Sequence, residues 1–277
     1  MSDARPEPPL SAESAGHASG RGRLVGRRIV VVGAGTRASD DPDAPMGNGR
    51  AIAVLAGREG AAVACVDVDR SAAEQTAALV RAEGAVAAVV EADVSDAEAC
   101  ARLITVSATA LGGIDGVVAN IGIALGGGLA GTTAHHWDTV FDVNVRSHFL
   151  ISQAALPLMT NGGSIVLVSS VAGLKPGSRM PAYDASKAAL FGLCRHVALE
   201  GSRQGVRVNV VVPGLVDTPL GRMATAGRPS RATTRVPLGR QATAWDVAYA
   251  TLFLLGGEST YITAQSVVVD GGLSQIG

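Results

Sequence analysis

The stretch "RIVVVGAGTRASDDPDAPMGNG", residues 28–49, sets the architecture of the chain. Its first half is an unbroken apolar run that ends in Gly33-Ala34-Gly35. Its last residues, Gly47-Asn48-Gly49, lead into the amphipathic "RAIAVLAGREG". A buried strand, a glycine turn and a helix are the opening of a βαβ unit. Glycines at such a turn let backbone N–H groups approach a pyrophosphate at the helix N-terminus. Between the two glycine clusters lies a polar segment with Asp40, Asp41, Asp43, Pro42 and Pro45. Carboxylates packed against a phosphate repel it. Arg37 to Met46 therefore read as an insertion that projects away from the phosphates. It is expected to be a passive surface bulge, or else to pass beside the adenosine end of a dinucleotide.

Further Val- and Ile-rich runs follow at wide spacing, among them "AAVACVDVD" (61–69), "AVAAVVEADV" (85–94), "GIDGVVANIG" (113–122), "GSIVLVSS" (163–170), "VRVNVVVPG" (206–214) and "QSVVVDGG" (265–272). Strands that are apolar throughout, rather than alternating, belong to a sheet covered on both faces and hence parallel. Helical segments separate them. "SAAEQTAALVRAEG" is expected to start at a Ser71 cap with Glu74 three residues on, and to close at Gly84. The reading is an α/β protein: a single-domain Rossmann fold with a doubly wound, mostly parallel, seven-stranded sheet flanked by helices. Residues 24–277 form this domain. Residues 1–23, rich in Pro, Ser, Ala and Gly, read as a flexible N-terminal tail.

Composition narrows the function. The formal net charge of −1 gives no field that favours nucleic acid or an anionic membrane. No apolar run approaches the roughly 18 residues of a membrane span. The three cysteines, Cys65, Cys100 and Cys194, are scattered and odd in number, which argues against a disulfide framework or a metal site and for a cytoplasmic protein. His135 and His136 stand before Trp137 at a helix start and read as cap and surface residues.

In a doubly wound sheet, ligands bind beyond the carboxyl ends of the strands. The second strand ends in Asp67, placed to bind ribose hydroxyls and to repel a 2′-phosphate, with Val68 after it offering no cation. NAD is therefore expected as cofactor, NADP less so. Asp93 and Val94 close the third strand, and Asn120 with Gly122 the fourth, so both border the adenosine. The fifth ends in Ser169-Ser170; Tyr183 follows, and four residues later Lys187, on one helical face. A tyrosine is a poor base at neutral pH. A Lys ammonium at ~5 Å favours the phenolate by roughly 3 kcal/mol at an effective dielectric near 20. Tyr183 can then exchange a proton with a substrate oxygen while hydride moves to or from a nicotinamide.

On these residues the chain, from about Leu24 to Leu273, resembles the short-chain dehydrogenases/reductases. The resemblance implies four catalytic residues. Ser170 orients the carbonyl or hydroxyl, Tyr183 is the acid/base, and Lys187 lowers its pKa and holds the nicotinamide ribose. Asn144, in "FDVNVRSHF", positions a water of the proton relay. "PGLVDTPL", with Pro213, Gly214, Val216 and Thr218, matches the segment that contacts the nicotinamide amide. The resemblance also implies a homotetramer, less often a homodimer. Three departures fall on the cofactor side: Val32 where the family has Thr, Ile121 after Asn120, and thirteen residues between the first and second motif glycines, Ala34 to Met46.

The substrate is expected to be a small-molecule alcohol or ketone, with walls at residues 124–131 and 173–180 and a lid at about 218–240. The lid has five arginines from Arg222 to Arg240 and no acid. Arg228 and Arg231 are candidates to attract an anionic group. Two alternatives stand beside the alcohol dehydrogenase: a 3-oxoacyl-thioester ketoreductase acting on an acyl carrier protein or CoA substrate, and a non-catalytic dinucleotide-binding sensor or scaffold.

Overall fold

A computed structural model describes residues 8–39, 41, 43–226 and 236–277. Asp40 of the acidic segment, and Arg228 and Arg231 of the lid, lie outside these residues. Seven parallel strands form the central sheet: β1 (Arg28–Val32), β2 (Ala62–Asp67), β3 (Ala87–Glu91), β4 (Gly116–Ala119), β5 (Gly163–Val168), β6 (Val206–Pro213) and, last in the chain, β7 (Ser266–Val269). Their order is β3-β2-β1-β4-β5-β6-β7. The chain works outward from β1 in one direction, then returns and works outward from β4. The crevice between the carboxyl ends of β1 and β4 is thus the switch point at which such sheets bind ligands.

Each strand feeds both faces. Ile29 and Val31 of β1, with Val63 and Cys65 of β2, pack under α1 (Asn48–Arg58) and the late helix α8 (Ala244–Leu255). Val30 and Val32, with Ala64 and Val66, pack on the other face under α3 (Ala97–Leu111), α5 (Ser147–Ala155) and α6 (Pro181–Gly201). This double burial explains why the strands read as continuous apolar runs. Cys65, Cys100 and Cys194 are buried in these two cores, and burial pushes their thiols up to about 12, 11 and 12.

Two local expectations are corrected, and one helix is interrupted. Helix α2 (Arg70–Ala82) starts two residues early, because Asp69 rather than Ser71 is its cap: Asp69 accepts from the N–H groups of Ser71 and Ala72 at 2.8 and 3.2 Å. A carboxylate there also meets the positive end of the helix dipole. The segment around Asn144 is not one uniform helix. Between α4 (Ala134–Phe141) and α5, residues Asp142–Arg146 form a π-helical turn. Residues 8–23, expected to be part of a free tail, lie on the domain. Ser14 donates to Asp246 at 2.6 Å, Arg58 donates to the Gly16 carbonyl at 2.8 Å, and the buried Glu59 accepts from Arg23 at 2.6 Å and from the Arg21 and Arg23 N–H groups at 2.9 and 3.0 Å. Burial raises the Glu59 carboxyl, but the Arg23 hydrogen bonds outweigh it and leave the group below its ordinary range.

Candidate active site

One cleft of about 1190 Å³ runs across the carboxyl ends of the strands. It is lined by Gly33, Gly35, Asp67 and Val68 at one end and by Ser170, Tyr183 and Lys187 at the other. Asn48, Gly49, Asp93, Val94, Asn120, Gly122, Pro213, Gly214, Val216 and Thr218 also border it, so every candidate catalytic or cofactor residue but Asn144 lies on its surface.

The glycine turn is held by backbone and by two side chains. Gly33 and Ala34 both donate to the Val66 carbonyl at 2.9 Å. Asn120 donates its side-chain amide to the Gly33 carbonyl at 3.0 Å, so it shapes the turn while it borders the cleft. Gly33 has φ +77°, open to glycine at no cost. A Cβ on Gly49 would overlap the Gly33 carbonyl, so helix α1 can start this close to the turn only with glycine there. Asp67 Oδ2 accepts from the Gly35 N–H at 2.7 Å. Its other oxygen accepts from the Asp69 N–H at 3.2 Å.

The intervening segment leaves the turn intact. The Gly47 N–H donates to Thr36 Oγ1 at 2.9 Å, which brings the two ends of residues 37–46 together. The segment does not simply project outward: Arg37 and Ala38 line the cleft. Asp41 accepts from Arg222 at 2.6 Å, on the short helix α7 (Pro219–Thr225) across the cleft. Arg222 also forks onto Asp217 at 2.7 and 2.9 Å. Two of the five lid arginines are therefore committed to carboxylates, since Arg240 likewise binds Asp246 at 2.7 Å.

At the other end, Tyr183 and Lys187 stand one turn apart on α6, with the Lys187 nitrogen 5.9 Å from the centre of the Tyr183 ring. Lys187 is buried and donates to the carbonyls of Ile121 and Val168 at 2.9 and 3.0 Å. Burial pushes its ammonium down to about 7. A Cβ on Gly122 would come within 3.0 Å of the Lys187 nitrogen, so glycine is what lets the lysine reach this position. Ser169 donates to the Lys187 carbonyl at 2.7 Å and anchors α6 to the end of β5. Its neighbour Ser170 caps a short turn by accepting from the Ala172 N–H at 3.2 Å. Asn144 is fully buried behind this wall. It accepts from Ile123 N–H at 2.8 Å and donates to the Ile123 carbonyl and to Ser186 at 2.9 and 3.0 Å. The π-helical turn aims it there, a local irregularity typical of functional sites.

Several further side chains surround the site. His148, fully buried, bonds through Nε2 to the Ala119 carbonyl at 3.1 Å. Burial, reinforced by Lys187, takes its imidazole down to about 3. A carbonyl only accepts, so Nε2 carries the proton. Lys175 and Arg179, on the loop before α6, line the substrate end of the cleft. Lys175 donates to the Leu273 carbonyl at 2.9 Å. Arg179 sits at φ +66°, and its carbonyl accepts from the Gly128 N–H at 2.7 Å, which joins the two expected walls. His136 completes the cap of α4 with Thr133. No cluster of metal ligands occurs among the described residues, and none of the described helices is long and apolar enough to cross a membrane.

The chain is similar to known proteins over most of its length. A sequence-family profile described as enoyl-(acyl carrier protein) reductase matches residues 44–274. The chain is 38% identical over 262 residues to 2-(S)-hydroxypropyl-CoM dehydrogenase 3 of Xanthobacter autotrophicus, covering 92% of this chain and 99% of that protein. It is 36% identical over 262 residues to human (3R)-3-hydroxyacyl-CoA dehydrogenase, covering 91% and 97%. A solved structure from Burkholderia xenovorans, assigned to the short-chain dehydrogenases/reductases, superposes with a TM-score of 0.84 at 35% identity over 91% of this chain and 98% of that one. The protein belongs to the short-chain dehydrogenase/reductase family. It is an oxidoreductase of the class that acts on secondary alcohols and ketones with a nicotinamide dinucleotide.

A nicotinamide dinucleotide suits the residues present. Gly35 and Gly49 have no room for a Cβ against Asp67 and the Gly33 carbonyl, so the turn stays tight at the start of α1, where the buried Asn48 Oδ1 has no partner among the described residues.

Proposed function

We propose that the protein is an NAD-dependent dehydrogenase/reductase in which Tyr183 is the acid/base. The observation that carries this reading is Lys187, a buried ammonium bound to two carbonyls beneath the Tyr183 ring, in a cleft whose far end presents the Asp67 carboxylate. Asp67 accepts from ribose hydroxyls and repels a 2′-phosphate. A bound nicotinamide dinucleotide would supply hydride chemistry in the reduction and accept hydride in the oxidation. Ser170 holds the substrate oxygen by a hydrogen bond. Tyr183 gives its proton to that oxygen in reduction and takes it back in oxidation. Lys187 favours the phenolate form. Asn144, bonded to both polar groups of Ile123, acts as a positioning residue for the wall that carries Lys187's partner Ile121.

A panel of secondary alcohols and ketones with NAD(H) and NADP(H), followed at the nicotinamide absorbance, tests the cofactor assignment; preference for NADP(H) would overturn it. Tyr183→Phe is expected to lower kcat/KM by about 10²–10⁴ with NAD affinity within a few-fold of the wild type. Turnover that survives the substitution would refute the acid/base role. Loss of neither, with no turnover in the wild type, would favour a dinucleotide sensor.

A second reading, a reductase or dehydrogenase of acyl thioesters, is favoured by Lys175 and Arg179 at the substrate end and by the hydroxyacyl-CoA relative. A CoA-linked 3-oxoacyl substrate should then outperform the free ketone. Partly exposed Phe149 on α5 and Leu199 on α6 suit self-association into a homotetramer through the long helices, which light scattering measures directly. Three buried free thiols suit a reducing cytoplasm.

A further inference from the structure

The contacts of residues 8–23 converge on the turn that opens α8. Ser14, only 8% exposed, stands at its centre. Its hydroxyl donates to Asp246 Oδ1 at 2.6 Å and accepts from Arg240 at 3.1 Å. Its carbonyl accepts from Thr243 Oγ1 at 2.7 Å. Arg240 also donates to both oxygens of Asp246, at 2.7 and 3.2 Å. Asp246 in turn accepts from the Thr243 N–H at 2.8 Å, half of the capping box of α8. Beside this node Gly16, at φ +75°, lies flat against Trp245, where a Cβ would overlap the indole. Arg58, 5.0 Å over the same ring, holds the Gly16 and Ala18 carbonyls.

The node lies two steps from the cleft. Ala242 and Thr243 pair in parallel with Val216 and Asp217, and the Ala242 N–H donates to the Leu215 carbonyl at 2.9 Å. Leu215, Val216 and Thr218 line the cleft just past the end of β6. In the sheet order β6 lies beyond β5, on the opposite side of the switch point from β2 and Asp67. A dinucleotide with its adenosine at Asp67 and its reactive ring beside Tyr183 therefore meets this wall with its nicotinamide half. A two-stranded ribbon this short is marginal by itself, so its place depends on what holds Thr243. We propose that Ser14 is a positioning residue of the active site. Through Thr243, 229 positions along the chain, it fixes the Leu215–Thr218 wall against the nicotinamide half of the cofactor. The proposal rests on the dinucleotide reading above.

Calorimetric titration of NAD, and of ADP-ribose, which lacks the nicotinamide, into full-length variants tests this role. Ser14→Ala deletes the hydroxyl of the node, and Gly16→Ala prises the segment off Trp245. Urea unfolding establishes that each variant is folded at the temperature of the titration. Both substitutions are expected to raise Kd for NAD about fivefold, within the range of coupling through a packed network, and to leave Kd for ADP-ribose unchanged. Ser14→Thr, which keeps the hydroxyl, should bind NAD as the wild type does. Equal weakening of ADP-ribose would mean a general loosening of the fold and overturns the proposal. So does an unchanged Kd for NAD in either alanine variant, or a Ser14→Thr protein that binds NAD no better than Ser14→Ala. A wild-type protein that binds neither ligand removes the dinucleotide reading and the positioning role together, whereas normal wild-type binding with no effect of the substitutions removes the positioning role alone.

Discussion

Replacing Lys187 with Met puts the electrostatics of the site on a scale. The side chains are close in length, so the substitution deletes a charge with little change of volume. At 5.9 Å from the Tyr183 ring centre, a unit charge favours the phenolate by about 3 kcal/mol at an effective dielectric near 20, which is about two pKa units. The interaction is reciprocal: a phenolate at Tyr183 holds the proton on Lys187 as strongly as the ammonium helps the phenolate form. This matters because burial alone takes Lys187 down to about 7, so without an anionic neighbour its charge is present below that pH and fades above it. The assay is the pH profile of kcat/KM for oxidation of an alcohol accepted by the wild type. In Lys187→Met the limb reporting Tyr183 should move up by about two pH units, and kcat/KM at pH 7 should fall about a hundredfold. Two carbonyls also lose their donor, at about 1–3 kcal/mol each, so circular dichroism and thermal unfolding must show a folded variant. A folded variant whose limb stays at the wild-type pH would refute the reasoning, because the lysine would then serve only to hold the wall and the cofactor.

The remaining expectations concern stability. His148 is neutral in the fold, with its imidazole taken from an ordinary 6.5 to about 3. The unfolded chain binds a proton in that window and the native state does not, so stability should fall as pH drops from 6.5 toward 3, by up to about 1.4 kcal/mol per pH unit from this group. Urea unfolding at several pH values should show a shallower acid limb in His148→Gln, and parallel curves would contradict the assignment. Glu59→Gln should cost about 1–3 kcal/mol, because four hydrogen bonds from Arg21 and Arg23 lose their charged acceptor. An unchanged urea midpoint would mean that the docked residues 8–23 contribute nothing to the fold.

Much of this molecule is legible in its sequence because the signals are local. Continuous Val and Ile runs identify strands buried on both faces, and the residues ending them, from Gly33 through Asp67 to Ser170, meet in one cleft. Tyr183 and Lys187 are one helical turn apart, so their pairing follows from spacing alone. What was illegible depends on partners distant in the chain. Residues 8–23 have the composition of a free tail, but Glu59 and Asp246, far along the sequence, supply the charges that hold them. The aspartates after Gly35 look hostile to a phosphate until Arg222, 181 positions away from Asp41, is seen to pair with one of them. The cap of α2 is ambiguous for a simpler reason: Asp69 and Ser71 both suit a cap, and only the backbone shows that Asp69 stands at the first turn.

The hydrogen bond from Gly47 to Thr36 has a consequence for how such a loop can change. By closing the base of the segment, it separates what the segment contains from the geometry of the nucleotide turn beside it. Residues 38–45 can be lengthened, shortened or replaced with little movement of Gly33, Gly35 or the start of α1. The position is a natural graft site, where a reporter or a foreign recognition loop could be spliced in and would sense cofactor occupancy at close range.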